Sequence, residues 1–414
     1  MEFISDLHVH GKHAAACSKH TTIPLLEKYA RMKGLDLLGT GDFQHPLWQK
    51  HILEELTEDE NGILWTKSKF PFLWQTEISL IYTQDGKGRR AHHLIFAPNG
   101  EVAKQITEFL GSKGRLDYDG RPIFGFNSVE LVDFMRDISD KIEIIPAHVW
   151  TSHFSVMGEY NQHSKVEDCF KNNTKYIHAL ETGMSSDPAD NRRLSVLDKF
   201  NLVSFSDSHS AWPWRLGREA TIFEFDKLAF DSFLRAIREG VGLKSTVETY
   251  TSYGKYHFTG HRNCGVSFSP KESKDLNKIC PKCSAKLTIG VADRIELLAD
   301  RPEGFKRDNA VPFVSLIPLH ELISAVYDIK QLQSKRVWET YTKLVTEFKS
   351  EFNVLLNVSY EDLCKVIQDK LARVIVNNRE DKLKIEAGFD GVYGKIMLDK
   401  EEKVVDQKKL GDFK

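Results

Sequence analysis

Short apolar runs alternate with amphipathic segments through the first half of the chain. Thr22 can cap a helix that has Pro24 in its first turn, and Gly34 ends its apolar stripe. A buried strand is predicted at 35–38. The same alternation of apolar runs and amphipathic segments predicts strands at 72–74, 94–96, 142–145, 176–181, 202–205 and 221–225. It predicts helices at 128–138, 189–200 and 227–239. This alternation predicts an α/β fold with a mostly parallel sheet or a (β/α) barrel.

The pattern changes beyond residue 245. A segment rich in Gly, Ser, Pro and Lys follows, and after Arg301 and Pro302 long helices are predicted at 319–331, 336–352 and 360–376. We therefore expect three units: a barrel over 1–245, a small metal-binding ribbon over 246–300 and a helical domain over 301–414. The third unit ends in a Gly-rich tail.

The tail at 386–396 interleaves glycines with Phe389 and Tyr393. This pattern predicts a tight loop that docks against a partner surface or against the barrel. Phosphate cradling is the alternative, although a Gly pattern alone is a weak signal. Lysines and arginines also recur beside acids on the predicted helices, where they either track a DNA backbone or form solvated faces.

Composition indicates a multidomain globular protein. Hydrophobic residues make up 41% and charged residues 28% of the 414 positions, and no apolar run approaches the roughly 20 residues that span a bilayer. The chain enters its first predicted strand at once, and the cysteines outside the ribbon (Cys17, Cys169 and Cys364) are widely dispersed, so we expect a cytoplasmic protein without a signal segment. The net charge of −2 means that nucleic-acid binding would need local basic patches.

Ligand-type side chains stand at the ends of the predicted strands. His8 and His10 form one pair and Asp207 and His209 another, and residues two apart in a strand face the same way and can share an ion. Glu77 is placed to bridge two ions. The other candidates are Asp42, His93 and His148. A single histidine is more often a surface or core residue, but thirteen of the sixteen fall at or before His209, which favours a multinuclear metal site.

A second ligand group lies in the predicted ribbon. Its two pairs have a two-residue spacing, the second on a Cys-Pro-x-Cys turn, and tight turns of this kind aim ligands inward at one structural zinc ion. The ligands are His261, Cys264, Cys280 and Cys283, with His257 competing for the place of His261. A redox Cys-x-x-Cys is the alternative, but no thioredoxin-like βαβ context surrounds it.

Six segments together resemble the PHP (polymerase and histidinol phosphatase) family. They are Asp-Leu-His-Val-His (6–10), Gly-Thr-Gly-Asp (39–42), Thr-Glu (76–77), His-His-Leu-Ile (92–95), Pro-Ala-His (146–148) and Ser-Asp-Ser-His (206–209). The resemblance implies a distorted seven-stranded (β/α) barrel around two or three divalent metals, of which Zn, Mn and Mg are candidates. The metal ligands that it implies are His8, His10, Asp42, Glu77, His93, His148, Asp207 and His209.

The second and first motifs depart from the family pattern. Phe43 stands where the family has a histidine, so the ligand there is either Asp42 or His45. Many members carry an acidic ligand shortly after the first motif, where this chain has Cys17 and Ser18. Cys17 is either a ligand or a small buried thiol.

The order of barrel, ribbon, helical region and Gly-rich tail is similar over the full length to DNA-repair nucleases of the PHP superfamily. That resemblance implies a metal-dependent hydrolase that cuts the DNA strand 5′ of uracil, hypoxanthine, xanthine or an abasic site. We predict direct attack of an activated water on phosphorus, which leaves a 3′-hydroxyl, with His8, His10, Glu77 and Asp207 as the catalytic residues. Double- or single-stranded DNA is the expected partner, a sliding clamp is a further candidate, and nucleoid association would follow.

Reading a deaminated base requires its extrusion from the duplex, because its altered edge is hidden in the stack. The loop of Gly183, Met184 and Ser185 follows a predicted strand. Its backbone amides and Ser185 are candidates to probe the changed carbonyl, and Trp150 or Met184 would pack on the base. The alternative is an ordinary strand-to-helix turn.

Two other functions fit part of the sequence. A small-molecule phosphatase of the histidinol-phosphate type would use the same metals, but it leaves the ribbon and the helical region unexplained. A lesion-binding scaffold without catalysis would explain those additions, but it has no need of so many metal ligands.

Overall fold

The first strand of the chain lies inside a large sheet. The computed structural model describes residues 1–398, and in it β1 (Glu2–Asp6) pairs in parallel with β2 (Leu37–Gly39) and antiparallel with β12 (Ala220–Glu224). The other strands up to residue 248 are β3 (Thr57–Glu58), β4 (Leu64–Trp65), β5 (Pro71–Leu73), β6 (Gln75–Gln84), β7 (Lys87–Phe96), β8 (Ile123–Phe124), β9 (Glu143–Pro146), β10 (Ala179–Glu181), β11 (Asn201–Val203) and β13 (Leu243–Glu248).

The strands close into a distorted ring. Only Trp74 separates β5 from β6, so one path continues from the large sheet into a second sheet of order β8-β6-β7-β9. The backbone N–H of Val149 donates to the Glu181 carbonyl (2.9 Å), which joins the end of β9 to β10, and β10 pairs in parallel with β11. A parallel bridge between Val9 and Ser208 then returns to β1. The path β1, β2, β5–β6, β7, β9, β10 and β11 is the predicted seven-stranded PHP-type barrel.

One hairpin departs from the mostly parallel prediction. β6 and β7 pair antiparallel along their whole lengths, and β7 also pairs antiparallel with β9. Asp85 (φ 53°) and Gly86 (φ 72°) form the two-residue turn, and positive φ at both positions suits the right-handed twist of a hairpin. Asp-Gly between two strand-like runs is a hairpin signal in the sequence, and the predicted strand list above does not use it.

Helices between these strands carry the caps that the sequence predicts. The Thr22 hydroxyl accepts from Leu25 N (3.4 Å), and Gly34 closes the first helix with φ 93°. The predicted helix at 189–200 stops early, because Leu194 is extended and only a 3₁₀ turn follows. The helices of this region are α1 (Ile23–Lys33), α2 (Pro46–Glu55), α3 (Gly100–Lys113), α4 (Ser128–Ile138), α5 (Val166–Phe170), α6 (Pro188–Arg192) and α7 (Phe230–Glu239).

The ribbon segment contains a short antiparallel hairpin and two helices: β14 (Thr259–His261), β15 (Val266–Phe268), α8 (Pro270–Ser273) and α9 (Val291–Leu298). The Gly-rich tail docks against the start of this segment. Gly388 N donates to Ser252 O (2.8 Å) and Gly394 N to Tyr253 O (3.0 Å). A Cβ at Gly388 would lie 2.4 Å from Gly254 O, so only glycine allows this close approach.

The chain returns to the barrel sheet before its last helices. β16 (Phe313–Ser315) pairs in parallel with β13, and β17 (Lys384–Glu386) forms a hairpin with β18 (Lys395–Met397). Two of the long predicted helices are each divided in two, because Ser350 and Gln368 are extended and cap new helices. The helices are α10 (Leu319–Tyr327), α11 (Lys335–Glu347), α12 (Glu351–Leu356), α13 (Tyr360–Val366) and α14 (Asp369–Arg379).

A buried ion pair joins the helical region to the barrel. Lys33 Nζ lies 2.7 Å from Glu351 Oε1, and both side chains are buried. Glu351 also accepts from Leu319 N (2.9 Å), so one carboxylate ties α1, α10 and α12 together. The boundaries predicted at residues 245 and 300 stay predictions, and positions 399–414 of the third predicted unit lie outside the described residues. None of the helices in residues 1–398 is long and apolar enough to cross a membrane.

Candidate active site

Three candidate site residues follow strand ends in a left-handed backbone conformation. Asp42 has φ 40°, His148 has φ 32° and Asp207 has φ 48°. Such values are uncommon for residues other than glycine and persist only where the surrounding structure holds them. The three turns direct side chains from β2, β9 and β11 into the same space at one end of the barrel.

The first group of ligand-type side chains joins the first, third and last motifs. His8, His10, Glu77 and Asp207 each offer one atom, and these atoms all lie within 4.8 Å of one another. His8 Nε2 lies 3.5 Å from Glu77 Oε1, and His10 Nε2 lies 3.2 Å from Asp207 Oδ1. Two imidazoles and two carboxylates at this spacing form a donor set for a divalent metal.

A second group shares Glu77 with the first. His92 Nδ1 lies 3.0 Å and His148 Nε2 lies 3.2 Å from Glu77 Oε1, and all three side chains are buried. Glu77 therefore faces both groups: its Oε1 lies near His8, His92 and His148, and its Oε2 lies 3.3 Å from His10 Nε2. The carboxylate of Glu77 thus stands between the two groups.

Carboxylates behind two of the histidines fix which ring nitrogen faces the centre. His8 Nδ1 donates to Glu181 Oε1 (2.8 Å), and His10 Nδ1 donates to Asp42 Oδ1 (2.9 Å). The Nε2 atoms are then directed at Glu77 and Asp207, and His8 Nε2 is buried without a hydrogen-bond partner. A histidine held in this way by a second carboxylate is typical of metal ligands, so these residues fit divalent metals.

Charge around Glu77 and Asp207 keeps both carboxylates ionised. Burial opposes their charge, but His92, Arg121 and His8 hold the pKa of Glu77 well below its ordinary value. Burial likewise opposes ionisation of Asp207, and His8 and His209 hold its pKa well below the usual range. Metal ligation requires the ionised form, which the site thus favours.

The structure corrects the prediction for His93. In the β6–β7 hairpin His93 stands opposite Ile78, and Leu94 stands opposite Glu77, so His92 and not His93 shares the face of Glu77. His93 Nε2 instead lies 2.9 Å from Ser128 Oγ. Burial lowers the pKa of His93 to about 3, so it is a neutral core residue.

Asp42 and His209 lie beside the two ligand groups, not within them. Asp42 contacts His10 and also accepts from Gly11 N (2.7 Å), so its geometry is that of a residue that orients His10. The His45 ring stacks on the His13 ring with 4.5 Å between ring centres, and His45 belongs to neither ligand group. The His209 ring lies 4.6 Å from the His10 ring, at the edge of the site.

Cys17 is a partly buried thiol near the site. Burial raises its pKa to about 12, although His10 and Arg121 act in the opposite direction. Cys17 belongs to none of the three ligand groups found among residues 1–398.

The four predicted zinc ligands come together in the ribbon. His261, Cys264, Cys280 and Cys283 offer atoms within 4.8 Å of one another, and His261 Nδ1 lies 3.3 Å from Cys283 Sγ. Burial opposes ionisation of Cys280, but the backbone N–H groups of Lys282 and Cys283 lower its pKa to about 6. The competing His257 is absent from this group.

The predicted base-recognition residues divide into two sets. Trp150 is fully buried, and its indole N–H donates to Asn191 Oδ1 (2.8 Å), so it cannot pack on an extruded base. Met184 and Ser185 are half-buried at the rim. Gly183 has φ 64°, and a Cβ there would lie 2.6 Å from the Cβ of His148, so glycine lets this loop pass over a candidate ligand.

Two solved structures are similar to the whole chain. The crystal structure of the lesion-specific endonuclease PfuEndoQ from Pyrococcus furiosus superposes with a TM-score of 0.86 at 29% identity, covering 100% of this chain and 98% of that one. A complex of endonuclease Q with a 27-mer duplex that carries an abasic lesion at the active site gives a TM-score of 0.87 at 29% identity and covers 100% of both chains. The chain is an endonuclease Q-like protein of the PHP superfamily.

Two further matches cover parts of this endonuclease Q-like protein. Residues 318–382 match the MJ0043 C-terminal domain family. The uncharacterized protein MJ0043 of Methanocaldococcus jannaschii is 30% identical over 241 residues, which are 57% of this chain and 30% of that protein. The endonuclease Q-like chain thus spans about a third of the length of this relative.

Sequence reasoning misses three residues of the site in this endonuclease Q-like protein. The choice of His92 over His93 depends on the register of β7 against β6. Glu181 lies at the end of a predicted strand, and the sequence analysis assigns it no role in the site. Arg121 lies in the loop between α3 and β8, where its Nη1 donates to Glu77 Oε2 (3.0 Å). No spacing rule links residues 77 and 121, and only the folded loop brings them together.

Proposed function

We propose that this protein is a metal-dependent DNA repair endonuclease that hydrolyses the phosphodiester 5′ of deaminated bases or abasic sites and leaves a 3′-hydroxyl. The observation that carries the proposal is the double role of Glu77, which faces His8, His10 and Asp207 on one side and His92 and His148 on the other. Two adjacent metal sites suit an in-line displacement at phosphorus, because both the attacking and the leaving oxygen require stabilisation.

Divalent metals held by these residues would polarise the phosphate oxygens and supply an activated water near neutral pH. His8, His10, Glu77 and Asp207 would hold one metal, and Glu77, His92 and His148 another. Asp42 and Glu181 would keep His10 and His8 in the tautomer that presents Nε2. Manganese, magnesium and zinc remain candidates for these sites, and one zinc ion is proposed for the ribbon.

Arg121 would contact the phosphate directly. Its guanidinium pairs with Glu77 while the side chain remains 22% exposed, so further N–H groups face the open side of the site. The loop is fixed beneath it, because Gly120 N donates to His13 O (3.1 Å) and a Cβ on Gly120 would lie 2.4 Å from Asp42 Oδ2. A planar cation held there can neutralise a non-bridging phosphate oxygen as charge develops.

Lesion recognition is assigned to the rim loop of Gly183, Met184 and Ser185, which lies above His148. The extruded base would meet the backbone amides and the Ser185 hydroxyl. The same proposal has four further parts: deaminated bases as substrates, DNA contact by the 301–414 unit, recruitment by a sliding clamp, and a cytoplasmic, nucleoid-associated location. The similarity to a complex with an abasic duplex supports the DNA substrate class.

The proposal is tested by comparing incision and DNA binding in wild type and Asp207→Asn. The variant should lose incision of a lesion-containing duplex while it keeps most DNA affinity, because Asp207 faces the metal centre. Asp231→Asn is the matched control, since this exposed aspartate pairs with Lys141 and belongs to none of the ligand groups. Equal incision by Asp207→Asn and wild type would refute the assignment.

A further inference from the structure

A cavity of about 410 Å³ lies where the loop after Asp207, the ribbon entry, helix α10 and the Gly-rich tail meet. It is lined by Arg215, Tyr253, Glu321, Lys330, Tyr393 and Lys395, among others. None of these residues belongs to the two ligand groups of the metal centre or to the zinc group. The cavity is therefore a separate feature of the surface.

The charge of this cavity is positive. Its single carboxylate, Glu321, is already engaged, because Arg215 Nη1 lies 3.1 Å from Glu321 Oε1 and the Tyr253 hydroxyl donates to Glu321 Oε2. Lys330 and Lys395 are both exposed. Glu386 stands opposite Lys395 in the β17–β18 hairpin, whereas Lys330 forms no ion pair among residues 1–398. With Arg215 balanced by Glu321, the described lining thus carries the positive charges of Lys330 and Lys395.

The Gly-rich tail builds one wall. Gly394 N donates to Tyr253 O (3.0 Å), and a Cβ on Gly394 would lie 2.5 Å from Ser252 O, so this position requires glycine. The close crossing sets Tyr393 and Lys395 on either side of Gly394 against the cavity. The Tyr393 ring is 38% exposed, and the Arg215 guanidinium lies 6.0 Å from its centre.

The opposite wall is connected to the metal centre through one loop. That loop begins with Asp207 and reaches Arg215, and Asp6 holds both of its ends. Ser206 N donates to Asp6 Oδ1 (3.0 Å), and Gly217 N donates to Asp6 Oδ2 (2.8 Å). A ligand in the cavity is thus held at a fixed distance from the residues at the catalytic metals.

We propose that this cavity binds a phosphate of the DNA backbone at a distance from the cleaved bond; the inference rests on the proposed nuclease function. Lysine ammonium groups, tyrosine hydroxyls and backbone amides are the usual partners of phosphate oxygens, and such contacts fix the register of a protein on DNA. The Gly-Val-Tyr-Gly-Lys tail then serves as a positioning element for the strand. Free inorganic phosphate shares this chemistry, and the experiment separates the two sources.

The test compares Lys330→Ala/Lys395→Ala with wild type, both in an Asp207→Asn background so that the duplex stays intact. Affinity for an abasic 27-mer duplex is measured across a salt series. We expect several-fold weaker binding and a salt slope smaller by about 1 for each lysine that contacts a phosphate. Lys141→Ala/Lys244→Ala is the control, because these lysines pair with Asp231 and with Glu2 at the opposite end of β1, and the charge change is identical.

Two further measurements distinguish a backbone phosphate of DNA from free inorganic phosphate as the ligand. When the duplex is shortened from either end, the defect should disappear once the phosphate that reaches the cavity is removed. A lysine variant that matches the control in affinity and slope would overturn the inference. A second result would also overturn it. In that result, millimolar inorganic phosphate at constant ionic strength weakens DNA binding by wild type but not by the lysine variant, and the defect of the variant does not depend on duplex length. Incision by the unmutated protein is measured alongside, and its absence would instead reject the proposed nuclease function.

Discussion

Glu181 holds His8 from behind the metal centre, with Oε1 at 2.8 Å from Nδ1, while its Oε2 accepts from the backbone N–H of His148 at 2.6 Å. One buried carboxylate thus orients a residue of each ligand group. Glu181→Gln should weaken metal binding in the barrel about 10- to 100-fold, because the amide cannot accept from both partners. Titration with Mn²⁺ measures the effect.

Glu143→Gln is the matched control for that prediction. Glu143 is also fully buried and accepts from a histidine, His178 Nδ1, at 2.8 Å, but it lies outside the ligand groups. Its replacement should reduce stability without changing Mn²⁺ affinity. Equal affinities in wild type and Glu181→Gln would contradict the orienting role of Glu181.

Arg121 provides a test of phosphate contact. Arg121→Ala should lower the single-turnover incision rate about 10²- to 10³-fold, the usual effect of removing one donor at a developing charge. Arg121→Lys should restore part of the rate, because it returns the charge without the planar geometry. Metal content should stay that of wild type in both variants.

The control for Arg121 lies in the same loop. Arg115 is largely exposed and pairs with Asp117 at 2.9 Å, so Arg115→Ala should leave the rate unchanged. If Arg121→Ala instead loses metal in proportion to its loss of rate, then Arg121 only supports Glu77 and does not contact substrate.

The ribbon ligands predict one zinc ion that is separate from the barrel. Cys280→Ser should remove one equivalent of zinc per chain and lower the melting temperature, because a small ribbon depends on its metal for folding free energy. Elemental analysis and a thermal melt measure both effects. Cys364→Ser, at an exposed free cysteine outside the ligand groups, should change neither value. Unchanged zinc in the Cys280 variant would refute this site.

Titration of the buried Glu248 carboxyl should make the free energy of unfolding depend on pH. Burial is the main cause that raises its pKa from 4.5 to about 8, even though Thr246, Thr182 and Ser204 donate to it. A carboxyl with a raised pKa binds more protons in the folded state, so its stabilisation is full below about pH 4.5 and is lost as pH rises through about 8.

Glu248→Gln should therefore flatten the pH dependence of stability between pH 5 and 9, with its largest relative gain at the alkaline end. The three hydroxyl partners can reorient toward an amide, so the fold should tolerate the change. Denaturant unfolding over this pH range is the measurement. Glu224→Gln, at an exposed position of β12, is the control and should run parallel to wild type; a parallel curve for Glu248→Gln would contradict the prediction.

Much of the barrel and its site could be predicted from the sequence, because the necessary signals are local. The i and i+2 spacing of His8 and His10 requires no knowledge of tertiary structure, and α4 has the predicted bounds because Asn127 and Glu130 form a capping box. The zinc group is similarly local, since two short spacings place its four ligands. These parts follow from geometry within a few residues.

The remaining site depends on contacts between distant segments. The choice between His92 and His93 depends on the register of β7 against β6, and shifting by one residue turns every side chain to the other face. Trp150 is a candidate to pack on the base from the sequence, but in the fold its indole N–H has a buried partner in Asn191. Arg121 and Glu181 reach the centre from a loop and a strand that no motif marks.

The most direct test of the account is incision of end-labelled duplexes that carry one uracil, hypoxanthine or abasic site, with Mg²⁺ or Mn²⁺ and an undamaged control. We expect a cut immediately 5′ of the lesion that leaves a 3′-hydroxyl, and no cut in the control. The account is contradicted if damaged and undamaged duplexes both stay intact with either metal while the protein releases inorganic phosphate from small monoesters. That result would assign the centre to a phosphatase.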